Sequence, residues 1–556
     1  HDMQQLRSQL DDSLSNTLSV FNSHSVLNAC DVLQAIRGLK SGKNDGNVGL
    51  CSEHFINACD ELAVHISLLF SAMLVHGTAP ADMVLCTVLP IPKGKNVNVT
   101  DSGNYRGIAL SSIFAKVFDL VFLHKFSNYL CTSELQFGFK ARHSTAMCSM
   151  VLKEALAYYM TNGGSVFCTF LDATKAFDRV NYCKLFRELL SRELPPVYLR
   201  LLLNMYTNSV ARVSWNGICS KSFCVKNGVK QGGIISPVLF CIYLDGLLKR
   251  LRDSQIGCHI GVTYVGALAY ADDITLLAPT ARAMRTLLKI CEDYGRQFSI
   301  VFNAVKSAWL YATSGGRQAD GALEFFIDGK LIPRQNEYSH LGHVISVNLD
   351  DKSDIMSRRN SLCSKINNVL CYFCNRDPVV KLKLLRSYCS DFYGSELWDM
   401  YNASVEDVCV VWRKGLRRVW GLPNHTHSAL LAPICGSLPL RDELACRCSA
   451  FIVKCLESGN GLVSFVARNG VFFQRMRSGL GRNAQYCASR FGVSLHNLSA
   501  IDKKLAFFRL YTDIGPSDLD TVKVILDMLS VKFHYADVAC FTVADTDFIL
   551  RQLCTD

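Results

Sequence analysis

The sequence predicts a mixed α/β core followed by a mostly helical C-terminal portion. Three observations carry this: short apolar runs bounded by turn residues at Val84 to Ile91, Val166 to Leu171 and Leu268 to Leu277; helix-compatible stretches between them; and fading strand signals after about Val344. Strands interleaved with helices imply an α/β arrangement.

From Asp31 to Val75 apolar residues recur at helical spacing around Ser41-Gly-Lys-Asn-Asp-Gly46. That composition breaks a helix, so two helices with a turn between them are expected. Val84 to Ile91, punctuated by Pro90 and Pro92, reads as a strand running into a basic loop, Lys93-Gly-Lys95. Val166-Phe-Cys-Thr-Phe-Leu171 reads as a strand with Asp172 at its end, and the segment containing Lys175-Ala-Phe-Asp178 is helix-compatible. Gly228 to Gly233 is a glycine-rich loop; Ser236 and Pro237 then supply an N-cap and first residue for a helix over Val238 to Leu251. Leu268-Ala-Tyr-Ala-Asp-Asp-Ile-Thr-Leu-Leu277 has apolar flanks around a polar centre, the pattern of a tight hairpin with acids at its tip. No repeat or low-complexity tract is visible.

At 556 residues the chain can hold three or more structural units. Its 59 Lys plus Arg exceed 48 Asp plus Glu, and a charge of +11 favours an anionic partner such as nucleic acid. Twenty-five scattered cysteines and a polar start without a secretory signal point to reduced thiols in a cytoplasmic or nuclear setting. His65 to Val75 is too short to span a bilayer and reads as a core helix, so no membrane partner is expected. Cys371 and Cys374 form a lone CxxC with no second pair at zinc-finger spacing, which favours buried apolar cysteine. The absence of an initiating Met suggests a fragment of a longer protein.

Two adjacent carboxylates at a hairpin tip repel each other unless a cation neutralises them, which makes Asp272 and Asp273 a candidate hard-metal site. An isolated Asp-Asp reads more simply as a solvated turn. Asp172, at a strand end about one hundred residues upstream, would complete the set if the two strands were neighbours. Three such carboxylates suit phosphoryl transfer with two divalent ions roughly 4 Å apart.

Tyr270-Ala-Asp-Asp273 resembles the YxDD box of reverse transcriptases, and Phe170-Leu-Asp-Ala-Thr-Lys-Ala-Phe-Asp-Arg179 resembles the catalytic box that precedes it. Asn104-Tyr-Arg-Gly-Ile-Ala-Leu110, Gln136-Phe-Gly-Phe-Lys140 with Ser144-Thr145, and Gly228-Val-Lys-Gln-Gly-Gly-Ile-Ile-Ser-Pro237 follow the same order. Across roughly residues 30 to 345 the chain is similar to the non-LTR (LINE-type) retrotransposon reverse transcriptases.

The resemblance implies a right-hand polymerase: a helical N-terminal extension over 1–79, fingers and palm with an antiparallel palm sheet over 80–345, a helical thumb over 346–430, and a mostly helical C-terminal region over 431–556 of no assigned role. It implies Asp172, Asp272, Asp273 and the carbonyl of Ala173 as ligands of two Mg²⁺ ions, for which Mn²⁺ could substitute, with Asp178 structural. Phe177 matches the residue that blocks a ribonucleotide's 2′-hydroxyl. Lys93 and Arg106 match positions that grip the incoming dNTP, with Lys95 an alternative to Lys93; the family usually has Pro where this chain has Gly107. Gln231 and Gly232 resemble residues beside the nascent base pair, and Lys306 a general acid for the leaving pyrophosphate.

Tyr338-Ser-His-Leu-Gly-His343 resembles a hairpin that holds the primer end, which would bring His340 and Gly342, with Tyr270, to nucleic acid. Trp412-Arg-Lys-Gly-Leu-Arg-Arg-Val-Trp420 offers Arg413, Lys414, Arg417 and Arg418 to a phosphate backbone, or else a solvated basic face. The expected partners are an RNA template, a DNA primer or nicked target DNA, and dNTPs. The rival readings are a catalytically silent RNA-binding scaffold with a polymerase fold and a group II intron maturase-like enzyme.

Overall fold

A computed structural model describes residues 2–17, 27–46, 49–94, 97–314, 323–502 and Ala506. Its centre is a four-stranded antiparallel sheet in the order Ala308–Thr313, Ser165–Leu171, Asp273–Ala278, Ala267–Tyr270. Both faces are covered. Thr169 and its face meet Met284 of the helix Ala281–Phe298, and the helix Thr145–Thr161 lies along three of the four strands. That double burial explains why Val166-Phe-Cys-Thr-Phe-Leu171 is nearly all apolar rather than alternating.

A second sheet orders Tyr105–Ser111, Leu85–Pro92 and Val210–Trp215, the last pair parallel, with the short strands Ile218–Cys219 and Phe223–Cys224 at the Val210 edge. Pro90 and Pro92 are tolerated because pairing with Val210–Trp215 ends at Val88 and leaves that edge open, while the ladder to Tyr105–Ser111 continues, Pro90 opposite Gly107 and Ile91 opposite Arg106. Gly107 therefore continues a strand, and Arg106 keeps its place. The two sheets and the helices packed on them make up the mixed α/β core that the sequence predicts.

After Ser346 the described chain is helical: Lys352–Tyr372, Pro378–Tyr388, Ser404–Trp420, Ser428–Ile434, Leu440–Leu456, Gly461–Arg468 and Gly479–Phe491. Upstream, the expected helix pair is Ala29–Arg37 and Glu61–His76, with a short helix, Ser52–Ile56, added in the turn. Among the described residues no helix is long and apolar enough to cross a membrane.

Three local expectations are corrected. Lys175-Ala-Phe-Asp178 does not open an α-helix, because Lys175 takes a left-handed φ of 47° and only a single 3₁₀ turn, Phe177–Arg179, follows. Ser236 is the first residue of the helix Ser236–Asp253 rather than its cap; its side chain is buried and Pro237 sits one place further in. Cys371 and Cys374 are exposed, because they lie in the last turn of Lys352–Tyr372 and just past it, beyond the helix's buried stripe. Most of the segment after Ile501 lies outside the described residues, and with it much of the region expected over 431–556.

Candidate active site

The palm register assembles the acids. Ile274 stands opposite Leu171, so one step outward Asp273 stands opposite Asp172, and opposed residues of an antiparallel pair share a face. Asp273 also pairs with Tyr270 across the hairpin. Asp172, Asp273 and Tyr270 thus form one row on one face, with Asp272 at the adjoining tip.

The tip is held from outside. Ala271 takes a left-handed φ of 56°, which costs an L-residue roughly 1–2 kcal/mol. Gln136, fully buried, compensates: its Oε1 accepts from the Ala271 and Gly138 amides, each at 2.8 Å, and its Nε2 donates to the Ala271 carbonyl at 3.3 Å. The Phe137 amide donates to the Ala269 carbonyl, and the Ala269 amide to that of Leu135, each at 2.8 Å. Gly138 is obligatory in this arrangement, since a Cβ there would lie 2.3 Å from the Ala271 amide nitrogen. The Gln-Phe-Gly-Phe box is therefore the clamp on the acidic hairpin, a role its sequence alone did not disclose.

Electrostatics supports a cation site. Burial first, and then the charges of Asp272 and Asp172, push the Asp273 carboxyl up to about 6. Burial and Asp172 also raise Asp272, against its own backbone hydrogen bond and the opposing charge of Arg106. Buried, mutually repelling carboxylates fit a hard divalent ion, which would remove both penalties. Among the described residues no three His, Cys, Asp or Glu side chains are gathered at metal-holding separation, so the fit rests on register, burial and charge. Ala173 pairs with Phe302 in an isolated antiparallel bridge flanked by the bonds Asn303 N–H to the Asp172 carbonyl and Thr174 N–H to that of Val301, each 2.8 Å. That pattern directs the carbonyl of Ala173 away from Phe302.

Around the acids, Phe177 is half-buried, stacked on Phe240 at 4.7 Å and edge-on to Phe139. Gly232, at φ 101°, brings its loop onto the fingers strand: the Ala109 amide donates to the Gln231 carbonyl at 2.7 Å, and a Cβ on Gly232 would lie 3.2 Å from the Ala109 carbonyl oxygen. Gln231 Nε2 donates to Asp178 Oδ1 at 3.3 Å, which accounts for Asp178. Beneath this loop Asp119 accepts from the amides of Ile235 and Ile234, and burial lifts its carboxyl to about 6; no sequence signal had singled it out. Arg106 is exposed, and its charge reaches Asp272. Lys93 is exposed and donates from Nζ to the Gly103 carbonyl at 2.8 Å. Lys306 is exposed in the turn before Ala308–Thr313. Lys95 lies outside the described residues.

The expected hairpin forms from Glu337–His340 and His343–Ser346, turning through Leu341 at φ 50° and Gly342 at φ 79°, a primed two-residue turn. It lies on the face that carries the acids: Tyr338 stacks on Phe170 at 4.3 Å. Tyr393, unnoticed in the sequence, pins the turn by donating to the Leu341 carbonyl at 2.8 Å and meeting the Thr145 hydroxyl at 2.6 Å. Gly342 is exposed there, whereas His340 is not a nucleic-acid contact. It is 3 % exposed, lies between Ser149 and Thr275 at 3.1 and 3.2 Å, and is held neutral by burial, its pKa lowered to about 3.

The basic helix Ser404–Trp420 is corrected in part. Arg417 is spent on the Thr426 carbonyl and Ser428, and Arg413 on Glu406 at 2.6 Å, because both emerge at the helix's packed edge. Lys414 and Arg418 stay exposed, Arg418 donating to Asn367 at 2.6 Å.

Residues 91–345 match the family model described as reverse transcriptase (RNA-dependent DNA polymerase). The Pol polyprotein of the type-2 retrotransposable element R2DM of Drosophila melanogaster is 25% identical over 280 residues, 49% of this chain and 26% of that protein. Residues 91–345 form a reverse transcriptase domain of the LINE type. The RNA-directed DNA polymerase from mobile element jockey of Drosophila funebris is 24% identical over 415 residues, 71% of this chain and 44% of that protein. The chain thus spans less than half the length of these relatives. Among solved structures, a telomerase from Candida albicans in complex with a TWJ fragment of telomeric RNA aligns over 76% of this chain and 66% of its own, at 10% identity and a TM-score of 0.36. Reverse transcriptases as a family use divalent metals, which agrees with the charge of the acidic row.

Proposed function

We propose that this chain is an RNA-directed DNA polymerase that extends a DNA 3′-hydroxyl on an RNA template with dNTPs, using Mg²⁺ held by Asp172, Asp272 and Asp273. The observation that carries the reading is the placement of Asp273 opposite Asp172, with Asp272 at the clamped tip beside them. Bound there, two such ions would lower the barrier by activating the attacking hydroxyl and neutralising charge on the departing pyrophosphate.

The chain's own residues do the rest. Arg106 and Lys93 would meet the triphosphate from the fingers, and Phe177 would occupy the space a 2′-hydroxyl needs. The Gln231–Gly232 turn would back the new base pair, the Tyr338–His343 hairpin would support the primer end, and Lys306 would deliver a proton to pyrophosphate. In this reading fingers and palm fall within 80–345 and the thumb within 346–430. Kinship with the R2DM and jockey proteins supports a retrotransposon polymerase; the reading adds priming on nicked target DNA and, from the unpaired cysteines, action in cytoplasm and nucleus. The test is extension of a DNA primer on an RNA template, dNTPs against rNTPs: RNA-templated growth with dNTPs alone is expected, and growth with rNTPs but not dNTPs would overturn it.

A further inference from the structure

From Ser458 to Ile501 the sequence has five arginines and no Asp or Glu. Arg482 and Arg490 pair with Asp399 and Asp442. Arg468, Arg475 and Arg477 are exposed and enter no ion pair among the described residues. They sit in and beside one loop, a π turn over Asn469–Gln474 followed by a 3₁₀ turn, Arg475–Arg477. On the same loop Phe473 is 79% exposed and Met476 52%.

This loop is built rather than slack. Glu154, buried on the helix Thr145–Thr161, accepts from the Leu480 amide at 2.7 Å and from the Ser478 hydroxyl. A Cβ on Gly470 would lie 2.9 Å from the Glu154 carboxylate, and one on Gly481 would lie 2.1 Å from the Arg475 carbonyl oxygen. Arg475 itself holds a strained backbone, φ 45° and ψ −114°. Strain of this kind costs on the order of 1–3 kcal/mol and persists only where the surroundings impose it. The fixed base thus turns an aromatic ring and three cations outward together.

The loop packs toward the C-terminal end of that helix. One end of the helix Thr145–Thr161 touches Tyr393 at the primer hairpin; the other end, with Arg477, lines a cleft of about 320 Å³. Seventeen helical residues at ~1.5 Å each separate those ends by roughly 24 Å.

We infer that the Arg468–Arg477 loop is a second binding surface, for single-stranded nucleic acid, in which the arginines meet phosphates and Phe473 stacks on a base. Alternating cations and an exposed ring are what backbone-tracking, sequence-tolerant recognition needs. It places single-stranded template toward the C-terminal end of the helix Thr145–Thr161, beyond the end that meets the primer hairpin.

The test measures binding of a 30-nucleotide single-stranded RNA of mixed sequence to the whole chain and to an Arg468→Gln, Arg475→Gln, Arg477→Gln variant, across a salt series. About tenfold weaker binding at low salt is expected, with the log–log salt slope shallower by about 2, from ~0.7 per lost phosphate contact. Phe473→Ala should weaken binding about fivefold or more. Single-nucleotide extension of a short hybrid confined to the cleft should be unchanged, so failure here is distinguishable from failure of the polymerase reading. Unchanged affinity and slope would overturn the inference. Should the variant not fold, photo-crosslinking of 4-thiouridine RNA to the parent decides: crosslinks within 465–477 support the loop, and their absence there overturns it.

Discussion

Gly138→Ala isolates the contact on which the acidic hairpin depends. The added Cβ would meet the Ala271 amide nitrogen at 2.3 Å, and Ala271 Cα and Gln136 Oε1 at 3.0 Å. Since the first two atoms are backbone, no side chain can swing away, and the tip must retreat by roughly 1 Å to reach ordinary contact. Overpacking of this kind costs about 1–3 kcal/mol of stability, too little to unfold a domain of this size. The same displacement moves Asp272 and Asp273 relative to Asp172, and ~1 Å of misplacement at a reacting centre costs on the order of a hundredfold in rate. Single-nucleotide incorporation at saturating dNTP, measured beside thermal unfolding, reads both quantities. Gly459→Ala is the control, because no atom lies within 4 Å of a Cβ there and its φ is not left-handed. A folded Gly138→Ala protein incorporating within threefold of the parent would refute the clamp.

Phe177→Val removes the ring stacked on Phe240 and should raise rNTP use relative to dNTP by about tenfold or more; an unchanged ratio denies it the steric role. Arg417→Gln should cost about 1–3 kcal/mol of stability through the Thr426 and Ser428 bonds while leaving the salt slope of hybrid binding intact, whereas Lys414→Gln should reduce that slope by close to one. His343 is buried 3.2 Å from Asp354 and 3.6 Å from Asp351, with Lys153 on Asp351. Burial alone would keep it neutral, but the two aspartates outweigh burial and raise its pKa. Its contribution is therefore full below its ordinary value of about 6.5 and is lost as pH climbs through the raised one. The parent's excess thermal stability over His343→Asn should shrink from pH 6 to pH 9, and a constant or growing excess would contradict this.

The hairpin at Asp272-Asp273 and the strand ending at Asp172 were legible because short apolar runs and turn chemistry are local. Their adjacency was not: it depends on a register across one hundred residues, and only the family's ordered boxes suggested it. His340 misled for a related reason, since a histidine in a loop-like motif gives no sign that Ser149 and Thr275, from distant segments, will enclose it. Arg413 and Arg417 share a basic run with Lys414 and Arg418, yet the partners that neutralise them, Glu406 and the 426–428 turn, are chosen by tertiary packing. Gln136 stood in a recognised box without a mechanism, because its partner, the amide of Ala271, is backbone and leaves no trace in sequence.

The most direct test of the account is extension of a DNA primer on an RNA template with dNTPs and Mg²⁺ by the parent and by an Asp272→Asn, Asp273→Asn variant, with RNA binding measured in parallel. The account predicts extension by the parent alone, with RNA bound by both. Extension by both proteins would remove the acidic row from the chemistry, and silence of a folded, RNA-binding parent would leave a polymerase fold that serves as a scaffold.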